Sequence, residues 1–197
     1  LEEKQKVIVA GRMMSLRQMG KTSFAHLQDA RGRIQVYLKL NVVGEDAYAV
    51  VRLLDGVVDI YLPDFKYADS AMADRYSSGA DTYAELTRQA LLEMHRQVGD
   101  LRIDHRGVAT RGLLVRHLVL PNRLADSRNV IDFLASSISR ATYLNIMDQY
   151  RPCHEAHELP PLDRRISNEE FSEAVHLAQE AGLRLDERRP RLLWQWR

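Results

Sequence analysis

The spacing of apolar residues changes near Leu54–Gly56, and this change limits the possible folds more than any other feature of the chain. Before it, apolar and polar residues alternate in short runs separated by turn residues, as in an antiparallel sheet. After it, short apolar runs alternate with longer stretches of helical periodicity, as in βα units that form a parallel sheet. The sequence therefore predicts an α/β protein with two domains, residues 1–54 and residues 55–197.

The first domain is expected to contain three strands and one helix. The strands are predicted at Val7–Leu16, Ser23–Gln28 and Arg33–Leu40, with a turn at Met19–Lys21, and the helix at Glu45–Leu54. Three meandering strands followed by a helix are the opening of an OB-fold, which needs two further strands to close its barrel. The prediction is therefore a partial OB-fold.

The second domain is expected to alternate strands and helices in a mostly parallel sheet. The predicted elements are the strand Val57–Leu62, the helix Thr82–Gln97, a hairpin of Leu101–Asp104 and Ala109–Leu120, the helix Asn129–Ser139, the strand Thr142–Asp148, the helix Glu169–Ala181 and a last strand Leu192–Trp196. Such a sheet exposes an edge beside Val57–Leu62. We expect the first domain or a second copy of the chain to cover that edge, which makes a homo-oligomer one expected state.

Charge is unevenly distributed, although the net charge is only +1. Residues 1–41 contain 8 Lys and Arg residues against 3 acidic residues. This local excess suits a phosphate-rich partner such as RNA. A solvated basic face on a small sheet is an equally good explanation of the same residues.

The remaining composition constrains the cellular setting. Cys153 is the only cysteine, so no intramolecular disulfide forms, which fits a reducing cytoplasm. No run of about 18 apolar residues occurs, so no membrane span is expected. The chain begins at Leu1 rather than at a methionine, so we expect a fragment of a longer protein.

Two stretches of the first domain carry a family resemblance. Val9–Asp29 (VAGRMMSLRQMGKTSFAHLQD) and Gly32–Tyr37 (GRIQVY) resemble the anticodon-binding OB-fold of lysyl-tRNA synthetases, and the similarity continues to Leu54. The resemblance implies that tRNA or another RNA is a partner, bound weakly because the barrel is incomplete. The fourth and fifth strands of that family and its lysine-activating domain do not follow, so aminoacylation by this chain is excluded.

The same resemblance implies three RNA-contacting residues. Phe24 matches the aromatic residue that stacks on an anticodon base, and Gln35 and Arg17 match the residues that read base edges. Stacking contributes about 1–3 kcal/mol per base, and glutamine and arginine present paired hydrogen-bonding groups. Phe24 as a barrel-core residue and Gln35 as an exposed strand residue are the alternatives.

Several blocks of the second domain resemble another family. These blocks are Leu53–Tyr67 (LLDGVVDIYLPDFKY), Glu93–Asp100 (EMHRQVGD), Arg111–Pro121 (RGLLVRHLVLP) and Asn145–Pro152 (NIMDQYRP). They resemble radical S-adenosylmethionine (radical SAM) proteins related to the pyruvate formate-lyase activating enzyme. The resemblance implies the carboxyl-terminal half of a partial βα barrel, in a family that uses a [4Fe–4S] cluster and S-adenosylmethionine.

The radical SAM resemblance implies binding residues at the carboxyl ends of the strands. Asp64 and Lys66 match a pair that faces the cofactor, with the cation meeting its methionine carboxylate. His117, together with Arg116, and Arg151, together with Asp148 and Gln149, follow at or near later strand ends, where barrel active sites are built. The alternatives are an ion pair of Asp64 with Lys66 on the rim, a core role for His117 and a strand-terminating role for Arg151.

The family's cluster is not expected in this chain. A [4Fe–4S] cluster requires cysteine thiolates, which the family supplies from a Cys-x3-Cys-x2-Cys loop. Cys153 is alone, and with His154 and His157 it makes only a weak zinc-ligand set. We therefore predict no metal site, no catalytic residue and no resident cofactor. The expected function is that of a radical SAM-like fragment without cluster-dependent catalysis; a weak RNA-binding module and a chimera with no activity are the alternatives.

Overall fold

A computed structural model describes residues 12–19, 22–28, 33–39, 51–52, 54–77 and 81–186. The chain divides into two compact units, Leu1–Asp59 and Ile60–Arg197. Each unit is described by itself below. The predicted residues of the helix Glu45–Leu54 are described only in part, and Val51 and Arg52 are helical.

The first unit contains a three-stranded antiparallel sheet. Its strands are β1 (Arg12–Met19), β2 (Thr22–Gln28) and β3 (Arg33–Lys39), in the order β1-β2-β3. The register shifts once, between Met13 and Ser15. β1 runs through Met19, so that residue is not part of the predicted turn, and Gly20 and Lys21 lie outside the described residues. The closure of an OB barrel is not observed in the described residues.

The second unit is a mixed α/β domain. Its elements are β4 (Ile60–Tyr61), α1 (Ser70–Ser77), α2 (Tyr83–Val98), β5 (Arg102–Ile103), β6 (Ala109–Leu118), α3 (Ser127–Phe133), a π-helical turn Leu134–Ile138, β7 (Tyr143–Met147), α4 (Asn168–Glu180) and β8 (Arg184–Leu185). Two 3-10 helices, Pro121–Arg123 and His154–Glu158, lie in loops. The prediction of strands alternating with helices is confirmed.

The sheet of the second unit is mostly parallel. β4, β6, β7 and β8 pair in that order with parallel registers, while β5 pairs with β6 as an antiparallel hairpin. The described strands do not close into a barrel. The carboxyl ends of these parallel strands lie along one edge of the sheet, where parallel α/β proteins place their ligands.

One face of this sheet packs against the helices. Leu113, Val115 and Leu144 have no exposed surface. On the same face, the ring of Phe65 meets that of Phe133 edge-on, with 6.0 Å between centroids. The β6 residues between these positions, including Arg116, lie on the opposite face and are half-buried. Arg116 and its register partner Asn145 are polar positions of this opposite face, which carries the candidate site.

Several predicted boundaries are wrong. The strand expected at Val57–Leu62 is confined to Ile60–Tyr61, because Leu54–Val57 forms a turn in which Gly56 has a φ of 77° and Val57 N–H donates to the Leu54 carbonyl. The helix expected at Asn129–Ser139 begins at Ser127, where Asp126 caps it. α1 and β8 were not predicted, and the predicted strand Leu192–Trp196 lies outside the described residues.

Candidate functional site

Three of the sequence-predicted residues meet at the carboxyl edge of the sheet. Asp64 follows β4 and forms an isolated parallel bridge with Arg116 of β6. The Arg116 guanidinium donates from Nε and Nη2 to Asp64 Oδ1, each at 2.6 Å. Lys66 Nζ lies 3.3 Å from Asp64 Oδ2. We call Asp64, Lys66 and Arg116 the Asp64 cluster.

The Asp64 cluster has surplus positive charge within reach of solvent. Its two cations flank one carboxylate, and the side chains of Lys66, Arg116 and Asp64 are 44%, 38% and 26% exposed. Asp64 is approached by Nε and Nη2 of Arg116 and by the ammonium group of Lys66. Nη1 of Arg116 and the other N–H groups of Lys66 are further donors. Half-exposed ion pairs contribute little to stability. The structure thus forms the ion pair of Asp64 with Lys66 that was the alternative considered from the sequence.

Backbone hydrogen bonds hold the segment that carries the cluster. Phe65 N–H donates to the Arg116 carbonyl, and Arg116 N–H donates to the Pro63 carbonyl, both at 2.9 Å. The Tyr83 hydroxyl of α2 accepts from Lys66 N–H at 2.9 Å and donates to the Asp64 carbonyl at 3.3 Å. Burial raises the pKa of Tyr83, so the hydroxyl stays protonated. Sequence reasoning missed Tyr83, because nothing in a helix pattern shows that its first residue reaches a strand end.

His117 lies behind the Asp64 cluster, with no exposed surface. Its Nδ1 is 2.7 Å from the Phe65 carbonyl oxygen, which only accepts, so Nδ1 carries the proton. Nε2 is then an acceptor, and it receives the Ser127 hydroxyl at 2.8 Å. Burial lowers the pKa of His117, so the ring remains neutral. The structure thus places His117 in the core, the alternative considered from the sequence, and not on the surface that a cofactor would touch.

The residues after β7 are not brought to the cluster. Arg151 is exposed in the loop that follows the strand, and it makes no hydrogen bond or ion pair with the described residues. Cys153, His154 and His157 are exposed as well. Within residues 54–77 and 81–186, no three His, Cys, Asp or Glu side chains are grouped to hold a metal ion.

The polar face of the sheet extends from the cluster across β7 to β8. Asn145 pairs in register with Arg116. Its Nδ2 donates to Asp186 Oδ2 at 3.2 Å, and the Tyr143 hydroxyl donates to Asp186 Oδ1 at the same distance. These residues were not predicted. The two-residue period of β7 could have indicated that Tyr143 and Asn145 lie together, since they are on the same face of the strand.

A cavity of about 350 Å³ lies at the same edge, between the loop after β6 and α4. Ser127, Arg123 and Glu173 are among its lining residues, and Arg123 is paired with Glu173 at 2.9 Å. The loop has three non-glycine residues with positive φ: Asn122 at 55°, Arg123 at 56° and Asp126 at 51°. Such backbone persists where surrounding contacts hold it. The loop sequence did not predict this cavity.

The register of the first unit aligns the three predicted RNA-contacting residues. Arg17 of β1 pairs with Phe24 of β2, and Gln35 of β3 pairs with His26, two residues further along β2. These are backbone register positions, and the RNA-contacting role of the three residues stays a prediction.

Comparisons with known proteins match the chain in two ways. Over 136 residues, or 68% of the chain, it is 33% identical to an uncharacterized protein of Methanocaldococcus jannaschii, of which the match covers 36%. It is 51% identical over 53 residues to the lysine–tRNA ligase of Pelotomaculum thermopropionicum, a match of 27% of this chain and 10% of the ligase. The corresponding ligase of Bordetella parapertussis is 53% identical over 62 residues, 30% of the chain and 12% of the ligase. No family model matches.

These matches confirm part of the sequence interpretation. The chain contains a lysyl-tRNA synthetase-like segment. It spans about a third of the length of the archaeal relative, 36%. That relative has no named activity, so the radical SAM resemblance stays a prediction. Among the described helices, none has the length and apolar character needed to cross a bilayer.

Proposed function

We propose that the second unit derives from the carboxyl-terminal half of a radical SAM-type barrel and binds S-adenosylmethionine without cluster-dependent catalysis. The observation that carries the proposal is the Asp64 cluster. Arg116 is distant in sequence from Asp64 and Lys66, yet the three meet at the carboxyl edge of a parallel sheet, where ligands of such sheets bind. The radical SAM resemblance assigns Asp64 and Lys66 to the cofactor, and it assigns His117 and Arg151 as well, which lie outside the cluster.

The charges of the cluster match the amino-acid end of S-adenosylmethionine. Lys66 and Arg116 suit the carboxylate, and the carboxylate of Asp64 suits the ammonium group. Because Arg116 approaches Asp64 through Nε and Nη2, we assign its remaining Nη1 and the free donors of Lys66 to the ligand. Asn145 continues the polar face beside Arg116. These residues bind and orient the ligand, and none of them is assigned a chemical step.

A [4Fe–4S] cluster does not fit the chain. Its ligands are thiolates, and Cys153 is a single, exposed cysteine after β7. The described residues hold no grouping of metal-binding side chains at the Asp64 cluster. We therefore assign no iron–sulfur cluster to this chain and derive no reaction through one.

Isothermal titration calorimetry of the full chain with S-adenosylmethionine tests the proposal. We expect Lys66→Ala and Arg116→Ala each to weaken binding about ten- to a hundredfold, the loss of one charge-assisted hydrogen bond. Arg106→Ala, at an exposed cation in the turn between β5 and β6, is the matched control and should bind like the wild type.

A ligand variant makes the test specific. Decarboxylated S-adenosylmethionine lacks the group assigned to Lys66, so it should bind more weakly, and Lys66→Ala should not weaken it further. Equal affinity for the two ligands, or no binding of either, refutes the proposed function.

A second function, weak RNA binding by the first unit, is favoured by a separate observation. The identity of about half of the residues to lysine–tRNA ligases accompanies a register that aligns Arg17, Phe24 and Gln35. Fluorescence anisotropy with a lysine-anticodon stem-loop should show binding that falls steeply with salt. Phe24→Ala should weaken it by about tenfold through lost stacking. Unchanged affinity in Phe24→Ala and Gln35→Ala would remove the assignment.

A further inference from the structure

Two of the three backbone carbonyls and one amide of the Asp64–Lys66 segment are hydrogen-bonded to the side chains of half-buried Tyr83 and buried His117. The Tyr83 hydroxyl of α2 accepts a hydrogen bond from the Lys66 amide and donates one to the Asp64 carbonyl. Between them, His117 of β6 donates a hydrogen bond from Nδ1 to the Phe65 carbonyl. Only the Phe65 amide is held by a strand neighbour, the Arg116 carbonyl. β4 itself ends at Tyr61, and the strand-type pairing of this segment is the isolated parallel bridge of Asp64 with Arg116.

We infer that Tyr83 and His117 are positioning residues that fix the Asp64 and Lys66 side chains for ligand binding. The Tyr83 ring packs edge-on against Tyr67, while its hydroxyl is directed to the backbone of the segment. A fully buried imidazole costs free energy unless both nitrogens are satisfied, and the fold supplies Ser127 and the Phe65 carbonyl to satisfy them. Two polar side chains from separate elements thus converge on three consecutive residues. The role in ligand binding rests on the proposed function.

Ser127 completes the arrangement. Its hydroxyl donates to Nε2 and so holds the proton of the neutral ring on Nδ1, the nitrogen that faces Phe65. The facing titratable groups do not disturb this state at neutral pH. Asp126 favours the protonated ring, but burial outweighs it and keeps the pKa of His117 below its usual value. The hydrogen bond from His117 Nδ1 to the Phe65 carbonyl should therefore be unchanged from neutral to mildly acidic pH.

Paired variants separate positioning from stability. The amide nitrogen of asparagine lies near the position of Nδ1 and that of glutamine near the position of Nε2. His117→Asn therefore keeps the donor to the Phe65 carbonyl, whereas His117→Gln loses it. Tyr83→Phe removes the hydrogen bonds of the hydroxyl with the Lys66 amide and the Asp64 carbonyl. Tyr61→Phe is the matched control, because it removes a buried bond of 2.6 Å to Gln97 on the helix-covered face.

The experiment measures two quantities on the full chain: amide exchange by NMR and the S-adenosylmethionine dissociation constant. In Tyr83→Phe, the Lys66 amide should exchange about tenfold faster relative to the Leu113 amide in the core. Tyr83→Phe and His117→Gln should weaken S-adenosylmethionine binding about five- to tenfold. His117→Asn and Tyr61→Phe should bind like the wild type even where their melting temperatures fall.

The outcomes are distinguishable. Unchanged Lys66 exchange in Tyr83→Phe, or equal losses of affinity in all four variants, overturns the positioning role. If the wild type does not bind S-adenosylmethionine, the proposed function is refuted. Faster Lys66 amide exchange in Tyr83→Phe would then still show that Tyr83 fixes the backbone of the segment.

Discussion

Glu170 connects the start of α4 to the loop after β6, and its replacement should expose how strongly that loop is held. Its carboxylate receives both terminal nitrogens of Arg164, at 2.8 and 2.9 Å. It also accepts the backbone N–H groups of Ser167 at 2.8 Å and Asn122 at 2.6 Å. The bond to Ser167 forms one half of a capping box, and the Ser167 hydroxyl supplies the other half.

These donors determine how much the Glu170 carboxylate contributes to the free energy of unfolding. The Arg164 guanidinium, with the backbone N–H groups of Ser167 and Asn122, lowers the pKa of Glu170 from 4.5 to about 2. Taken at face value, that difference is worth about 3 kcal/mol. Because the Arg164 side chain is 46% exposed, solvent screening reduces the expected contribution to about 2 kcal/mol.

The sign of the pH dependence follows from the lowered pKa. The stabilisation is fully present above pH 4.5 and is lost as the pH falls toward about 2, where the folded protein also binds the proton. Glutamine preserves the capping geometry but carries no charge. Glu170→Gln should therefore lower the free energy of unfolding by about 2 kcal/mol at pH 7, and by less than half of that at pH 3.

Urea denaturation followed by circular dichroism at both pH values gives the two differences. Glu180→Gln is the control, since its partner His176 is 70% exposed and the pair should contribute less than about 0.5 kcal/mol. A Glu170→Gln effect that equals the control at pH 7, or that stays constant between pH 7 and pH 3, would refute this reasoning.

Two further predictions concern the strand core and metal content. Gly112→Ala should destabilise the second unit by more than about 2 kcal/mol in the same denaturation assay, because φ is 120° and a Cβ would overlap the Asp100 carbonyl; an effect below 1 kcal/mol, taken as about the typical cost of a point mutation, would show that the backbone adjusts. Anaerobic reconstitution followed by iron analysis should find negligible iron in this chain, since Cys153 is a single thiol; about four irons per chain, as a [4Fe–4S] cluster requires, would contradict the absence of a cluster.

The long periodic elements could be predicted from the sequence. Thr82–Gln97 was predicted as a helix and α2 is Tyr83–Val98, because apolar spacing of about 3.6 residues over four turns is a strong signal. The end of α4 was also predictable from local chemistry, as Gly182 follows it with a φ of 74°.

Elements that depend on distant partners could not be predicted. β8 was not predicted, and β4 was predicted only as a longer strand; each has two residues and forms because a neighbouring strand supplies its hydrogen bonds. No window of two residues carries a periodic signal. Thr142, whose buried hydroxyl has no partner among the described residues, is likewise unreadable from a strand pattern.

The candidate site divides in the same manner. The resemblance directed attention to Asp64, Lys66 and Arg116, which meet. It also directed attention to His117, whose burial only coordinates reveal. Tyr83 and Ser127 enter through tertiary contacts between elements, and no spacing in the sequence encodes those contacts.

An NMR titration of the full, isotope-labelled chain with S-adenosylmethionine tests the central claim most directly. The account predicts saturable shifts of the Asp64–Lys66 and Arg116 amide signals, absent with decarboxylated ligand at the same concentration and strongly reduced in Arg116→Ala. Saturable shifts confined to other parts of the second unit, or no shifts at millimolar ligand, would contradict it.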